Sequence, residues 1–142
     1  MRREPQAWDQ KDLDRVQAHL KRTFGNPHFK IGSRIAGVAQ VEVKGQVVGF
    51  LTPDEDEDGS YQFEARLELP GAKLDAAGVA RIQAHLQQLF GSPAIKVIAR
   101  PRQKDSAEVE LNGEFIAVVY EDDDEDGNYL FEMAILPEDL EA

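Results

Sequence analysis

A chain of 142 residues and 15.9 kDa, 42% of it apolar, has room for one compact body or two small domains in close contact. Its 27 acidic side chains against 16 basic ones give a net charge of -11 and a pI near 4.6, which argues against a binder of nucleic acid or of an anionic membrane, since both need a positive face. The absence of cysteine excludes disulfides and thiolate metal sites, and the longest clean apolar run, about five residues from Ile116 to Tyr120, is far too short to span a membrane.

No apolar stretch follows Met1-Arg2-Arg3-Glu4-Pro5, so no secretory signal is expected and a cytoplasmic location is. Asp9 then offers a helix N-cap, with Trp8 and Leu13 placed as a hydrophobic staple. Leu13, Val16, Leu20 and Phe24 fall on one helical stripe. Gly25 follows where a left-handed cap needs no Cβ, and Pro27 prevents re-entry. Strand patterns come next, at about 28–35, 38–44, 46–52 and 60–69. Lys44-Gly45 separates the second from the third, and Asp54-Glu55-Asp56-Glu57-Asp58 connects the third to the fourth. Tyr61, Phe63, Ala65 and Leu67 alternate, so one face of the fourth strand is expected to be buried.

After the short connection Leu69-Pro70-Gly71-Ala72-Lys73, the same unit is written again. Val16-Gln17-Ala18-His19-Leu20 recurs as Ile82-Gln83-Ala84-His85-Leu86, and Phe24-Gly25-Asn26-Pro27 as Phe90-Gly91-Ser92-Pro93, 66 residues on. Beyond that the offset is 68: Val41-Glu42-Val43-Lys44-Gly45 matches Val109-Glu110-Leu111-Asn112-Gly113, and Asp54 to Gly59 with Tyr61, Phe63 and Glu64 matches Asp122 to Gly127 with Tyr129, Phe131 and Glu132. Residues 13–34 and 79–100 agree at 10 of 22 positions, and 41–69 and 109–137 at 11 of 29, too many for chance. Two residues are therefore inserted between Arg100 and Ala107. The second helix is capped by Asp75, stapled by Leu74 and Val79, and striped by Val79, Ile82, Leu86, Leu89 and Phe90; Gly78 weakens its first turn. Strands are expected at about 94–100, 106–112, 114–121 and 128–136, with a tight hairpin at Asn112-Gly113.

The predicted fold class is α+β: two tandem α-β-β-β-β units, at 8–70 and 74–140, each an antiparallel meander with one helix over it. One such unit has a thin core. The two are expected to pack as one body with pseudo-twofold symmetry, as a fused homodimer would, so that the chain is a monomer in the form of a pseudo-dimer; whether the two sheets merge is left open, and two independent beads are the alternative. Arg34 with Arg100, and Glu64 with Glu132, are identical between copies, and each Arg is expected to cross its sheet to its Glu.

The second half resembles a small family of uncharacterised bacterial domains, found mainly in alphaproteobacteria. The resemblance is carried by His85-Leu86-Gln87-Gln88-Leu89-Phe90-Gly91-Ser92-Pro93, Arg100-Pro101, Asp105-Ser106-Ala107-Glu108-Val109 and Tyr129-Leu130-Phe131-Glu132-Met133-Ala134-Ile135-Leu136. The first half is similar but weaker, with Arg34-Ile35 in place of the Arg-Pro. The resemblance implies a single unit of about this length and brings no activity and no site residues.

The two acidic hairpins need an account. Asp54–Asp58 holds five carboxylates and Glu121–Asp126 holds six, so together they equal the whole charge excess of 11. Asp54-x-Asp56-x-Asp58-Gly59 and Asp122-x-Asp124-x-Asp126-Gly127 fit the first half of a calcium loop, with the carbonyls of Ser60 and Asn128 at the seventh position. The bidentate Glu is missing from position twelve, where Ala65 and Met133 stand. The alternative is a solvated or partner-facing acidic hairpin. His19, His85 and the unmatched His28 lack zinc spacing, and His19 and His85 sit at the border of the packed helix face. No nucleophile elbow and no phosphate loop occurs. The expectation is a non-enzymatic protein-binding or adaptor module without a cofactor. Two alternatives stand beside it: a protein binding Ca²⁺ or Mg²⁺ through the hairpins, and a secretion-type chaperone, often a small acidic dimer.

Overall fold

The computed structural model describes residues 10–35, 37–53, 60–70, 73–100, 103–121 and 128–140. The first unit runs α1 (Gln10–Phe24), β1 (Phe29–Ile35), β2 (Val38–Val43), β3 (Gln46–Pro53) and β4 (Tyr61–Glu68). The second runs α2 (Ala76–Leu89), β5 (Ile95–Arg100), β6 (Gln103–Leu111), β7 (Glu114–Glu121) and β8 (Asn128–Ile135), followed by a short 3₁₀ turn, Pro137–Leu140. All eight strands form one antiparallel sheet, in the order β1-β2-β3-β4-β8-β7-β6-β5. The two meanders are thus joined edge to edge through β4 and β8.

The join has a symmetry that can be read from its register. Tyr61 pairs with Ile135, Glu64 with Glu132, and Glu68 with Asn128. Glu64 and Glu132 are equivalents in the duplication (132 - 64 = 68), so the pseudo-twofold axis passes between them. Behind this point the helix ends meet. The Phe24 and Phe90 ring centroids lie 5.0 Å apart, and Phe63 and Phe131 lie 5.7 Å apart. Phe29 stacks on Phe24 at 5.0 Å and completes the cluster. Buried Asn26 ties the halves by donating from Nδ2 to the Phe90 carbonyl at 2.8 Å, while its Oδ1 accepts from the His28 N–H.

The local devices follow from the sequence. Gly25 (φ 61°) and Gly91 (φ 58°) end the helices, and the Asn26 and Ser92 N–H groups bond back to the Lys21 and Gln87 carbonyls, as a left-handed helix cap requires. Asp75 caps α2 by accepting from the Gly78 N–H at 2.9 Å. Asp9, its counterpart, lies outside the described residues. Lys44-Gly45 and Asn112-Gly113 all have positive φ, the geometry of a two-residue hairpin turn whose twist matches its strands. The two extra residues of the second copy fall where the β5–β6 register jumps from Ala99↔Ala107 to Arg100↔Gln103. Gly78 has a role that helix propensity alone misses. A Cβ there would overlap the Lys73 carbonyl.

Both helices lie on one face of the sheet. Val16, Leu20 and Phe24 of α1, and Ile82 and Leu86 of α2, are buried against the alternate residues of the central strands, such as Leu51, Phe63, Leu67, Val119, Phe131 and Ile135, and Leu13 of α1 is buried as well. No helix among the described residues is long and apolar enough to cross a membrane.

The helices also close the sheet's outer edges. The Ile31 N–H of β1 donates to Gln17 Oε1, and the Val97 N–H of β5 donates to Gln83 Oε1, both at 2.9 Å. Gln87 adds a bond from Nε2 to the Ile95 carbonyl at 2.9 Å. β1 and β5 are the two edge strands, and an edge with free N–H groups is a template for unwanted pairing. The glutamine of the repeated Gln-Ala-His-Leu sequence occupies part of that template in each copy.

Two stability measurements check these assignments. The double variant Gln17→Ala/Gln83→Ala is expected to lose about 2 kcal/mol in urea unfolding, ~1 kcal/mol per bond. Gly78→Ala is expected to destabilise by roughly 1–3 kcal/mol through overpacking, although helix propensity alone favours Ala by about 1 kcal/mol. A stabilised Gly78→Ala protein would show that the helix entry relaxes freely.

Candidate functional site

The sheet face opposite the helices carries no second layer among the described residues. One row crosses it in register: Phe50, Glu64, Glu132, Val118, Glu108 and Ile98, each the Cα partner of the next. Side chains directly opposite in adjacent strands share a face. Phe50 remains 46% exposed and Ile98 40% exposed. The centre of the row is acidic and its flanks are apolar.

Glu64 and Glu132 are brought side by side by the fused register. Burial and the neighbouring Glu132 raise the Glu64 carboxyl above its ordinary value, and a hydrogen bond between the two carboxyls adds to the rise. The Gln62 amide donates to Glu64 and opposes it. Tyr120 stands beside the pair. Burial first, and then its hydrogen bond to Glu132, push its phenol well above the normal range. Thr52 takes the place of Tyr120 in the first copy, so this support is one-sided.

Arg100 does not take part. Its Nη1 donates to Ser106 Oγ at 3.1 Å and its Nε lies 3.6 Å from Glu108. The expected crossing from Arg100 to Glu132 fails for a simple reason. A meander puts its first and fourth strands three positions apart, about 14 Å at the usual strand spacing. The Arg34 side chain lies outside the described residues.

A second feature adjoins the row. The β4–β8 ladder continues to Ile135, but the β7–β8 ladder stops at Val118↔Glu132. The cause is a bulge: Val109 pairs with Ala117 and Glu110 with Phe115, leaving Ile116 extra. A bulge bends its strand and sharpens its twist. The tip of the β6–β7 hairpin therefore peels away from β8, and a cleft of about 750 Å³ opens between them. Tyr120 and Glu132 line it from the open face, His19 and Thr23 from α1, and Phe115 and Leu136 from the parting strands. Burial holds His19 below the ordinary imidazole value, with Asp139 opposing and Arg22 reinforcing; burial alone does the same for His85.

The first copy has the matching bulge, at Val48, but not the same walls. Gly49 lets β3 approach so closely that a Cβ would come within 2.5 Å of the Glu64 carbonyl and 2.6 Å of the Phe63 ring. The second copy has Ala117 there, so the strands must stand further apart. Ala134 and Leu136 replace Arg66 and Glu68. One corner of the sheet is charged and narrow, the other apolar and open.

The metal-ligand candidates are divided by the structure. Asp54, Asp56, Asp58, Asp122, Asp124 and Asp126 lie outside the described residues. Ser60, immediately before β4, and Asn128, at the start of β8, are buried. Among the described residues no three His, Asp or Glu side chains converge as a metal site would need. The cleft was not foreseen, yet it leaves a trace in the sequence. Val47-Val48-Gly49 and Phe115-Ile116-Ala117 each break strict alternation with a run of consecutive non-polar residues, which is what an inserted bulge residue does.

The carboxylate pair makes a pH prediction. A carboxyl whose folded value is raised binds more protons folded than unfolded between the ordinary value of 4.5 and the raised one. Its contribution is thus fully present below 4.5 and is lost as pH rises through the folded value. Glu64→Gln is expected to remove that slope and to stabilise the protein near neutral pH by a few tenths to about 1 kcal/mol, the lower part of that range being favoured by solvent screening. Urea midpoints of both proteins from pH 4 to 8 check it; parallel curves would mean that the carboxylates do not sense each other.

Neither the curated proteins nor the solved structures contain a match to this chain. A family model does match, and it matches twice, over residues 12–69 and again over 78–139, each a helix with the four strands that follow it. Its description is "Protein of unknown function (DUF3126)", and the chain belongs to that family as a tandem duplication of its unit.

Proposed function

We propose that the protein is a non-enzymatic, cytoplasmic protein-binding module that meets its partner on the helix-free face of the sheet. The observation that carries this reading is the row centred on Glu64 and Glu132. A compact core spends its large apolar side chains inside, yet Phe50 and Ile98 stand on this face partly exposed, at either side of an acidic centre. Exposed aromatic and aliphatic side chains are the anchors an interface uses, and a partner's Lys or Arg would relieve the repulsion between the two carboxylates that lie between them here. The net charge of -11 favours encounter with a basic partner in the same sense. No catalytic set competes with this reading: the sequence holds neither a nucleophile elbow nor a phosphate loop.

Site-specific photo-crosslinking in cells tests it. A benzophenone amino acid at position 50 or 98 is expected to give one discrete protein adduct. The same group at Ala84 or Gln88, exposed on the outer side of α2, is expected to give none. Adducts from α2 alone, or the same diffuse pattern from all four positions, would place the interface elsewhere.

A further inference from the structure

The parting of β7 from β8 leaves backbone in an unusual state. Met133, Ala134 and Ile135 are laddered to β4 on one side only. Glu114, Phe115 and Ala117 are laddered to β6 on one side only, with the bulged Ile116 between them. Strand edges are rarely left this way inside a sheet, and this chain covers part of its outer edges with Gln17, Gln83 and Gln87. The inner edge at the cleft is bordered by Phe115, 58% exposed and the most exposed large apolar side chain among the described residues.

The difference between the copies points the same way. Each half has the bulge and each half has the split, so the split belongs to the fold. Only the second carries Ala117 in place of the close-approaching Gly49, and Ala134 and Leu136 in place of Arg66 and Glu68. All three changes widen the corner or make it apolar. The acidic groups remain around it: Glu114 at the hairpin tip, Glu132 on the open face and Asp139 beside α1. Asp139 is already engaged, its carboxylate accepting from the Leu136 N–H and its carbonyl from Arg22. Glu132 has Tyr120 as a donor and the Glu64 carboxyl as its neighbour.

We infer that the β7–β8 cleft receives an extended segment of a partner protein, which adds as a short strand along residues 133–135 of β8, sets a Lys or Arg against Glu132 on the open face and turns its alternate apolar side chains to the other face, over Ala117 and Met133 of the cleft lining. The free edge is three residues long, about 10 Å at the strand rise, the length over which a docked peptide exchanges backbone hydrogen bonds. The backbone gives adhesion, the alternation of basic and apolar side chains gives selectivity, and the charge complementarity fixes the sign of the partner. This inference rests on the protein-binding reading above and narrows it to one corner.

The test uses the full chain and a defined probe: a pool of acetylated, amidated pentapeptides with Val or Ile at positions one, three and five and Lys or Arg at two and four. Amide shifts of the labelled protein are followed at physiological salt. Saturable shifts at 114–118 and 132–136 are expected. An otherwise identical pool N-methylated at alternate peptide bonds, and a pool with Glu in place of the basic residues, are expected to give no saturable shifts there. The variant Ala134→Arg/Leu136→Glu, which restores the residues of the first copy, is expected to bind the pool about tenfold more weakly or worse. Ala134 is exposed, and Ala134→Arg alone serves if the double variant fails to fold. Absence of localised shifts, equal shifts with the N-methylated pool, or unchanged affinity in the variant would each overturn the inference. Photo-adducts from positions 50 and 98 alongside any of those results would leave the wider protein-binding reading standing and remove only the cleft. Their absence together with localised peptide shifts would do the reverse, keeping the cleft and removing the broad face.

Discussion

The antiparallel pairing of β4 with β8 is the constraint on which the rest depends. It converts two four-stranded meanders into one eight-stranded sheet and covers the two strands that would otherwise be apolar edges. It also sets the helix ends against each other, so that Phe24, Phe63, Phe90 and Phe131 pack around a single axis. A lone unit of this size has too little interior to be robust. Pooling two interiors behind one sheet is the physical gain from the duplication. The same register has a local cost, because it places the equivalent carboxylates Glu64 and Glu132 opposite each other. Neither can move away without shifting the whole ladder.

Much of this was legible because the chain is written twice. A pattern seen once is a propensity; the same pattern at a constant offset is an element. The helix stripes, the left-handed caps at Gly25 and Gly91 and the hairpin turns at Lys44-Gly45 and Asn112-Gly113 appear where expected. Strand limits agree within a residue except in β6, which starts at Gln103 rather than 106, since the inserted residues extend the hairpin rather than a loop. The alternation in β4 and β8 indicates one buried face for each strand; that their edges pair and join the two sheets is known only from the structure.

The features that escaped are those that depend on strand order and strand spacing. The proposed bridge from Arg100 to Glu132 ignored the fact that a meander separates its first and last strands. Gln17 and Gln83 were visible as identities, but their role requires knowing that β1 and β5 are edges. Propensity alone makes Gly78 a weak point, whereas the chain entering α2 passes where its Cβ would be. The cleft needed the bulge, the early end of one ladder and a comparison of Gly49 with Ala117. In each case the residue carried the information and the neighbour that gives it meaning was distant in sequence.

The edge-to-edge join has a consequence for how the chain reaches this state. Tyr61 and Ile135 are 74 residues apart (135 - 61), whereas each meander pairs neighbouring strands, so loop-closure entropy favours forming the meanders before the central ladder. Until then every molecule displays two related edges, β4 and β8, which share Tyr61 and Tyr129, Phe63 and Phe131, and Glu64 and Glu132 at equivalent positions. Either edge can accept its own partner or the corresponding strand of a neighbouring molecule, because every copy of the chain carries the same two strands. The short connection between the halves keeps the internal partner at a high effective concentration, of order millimolar for such a tether, and so favours self-closure in dilute conditions. In crowded synthesis the balance shifts toward exchange of halves between chains. Divergence of the two copies thus also serves assembly: each substitution that makes β4 and β8 less alike disfavours β4–β4 and β8–β8 pairing between chains.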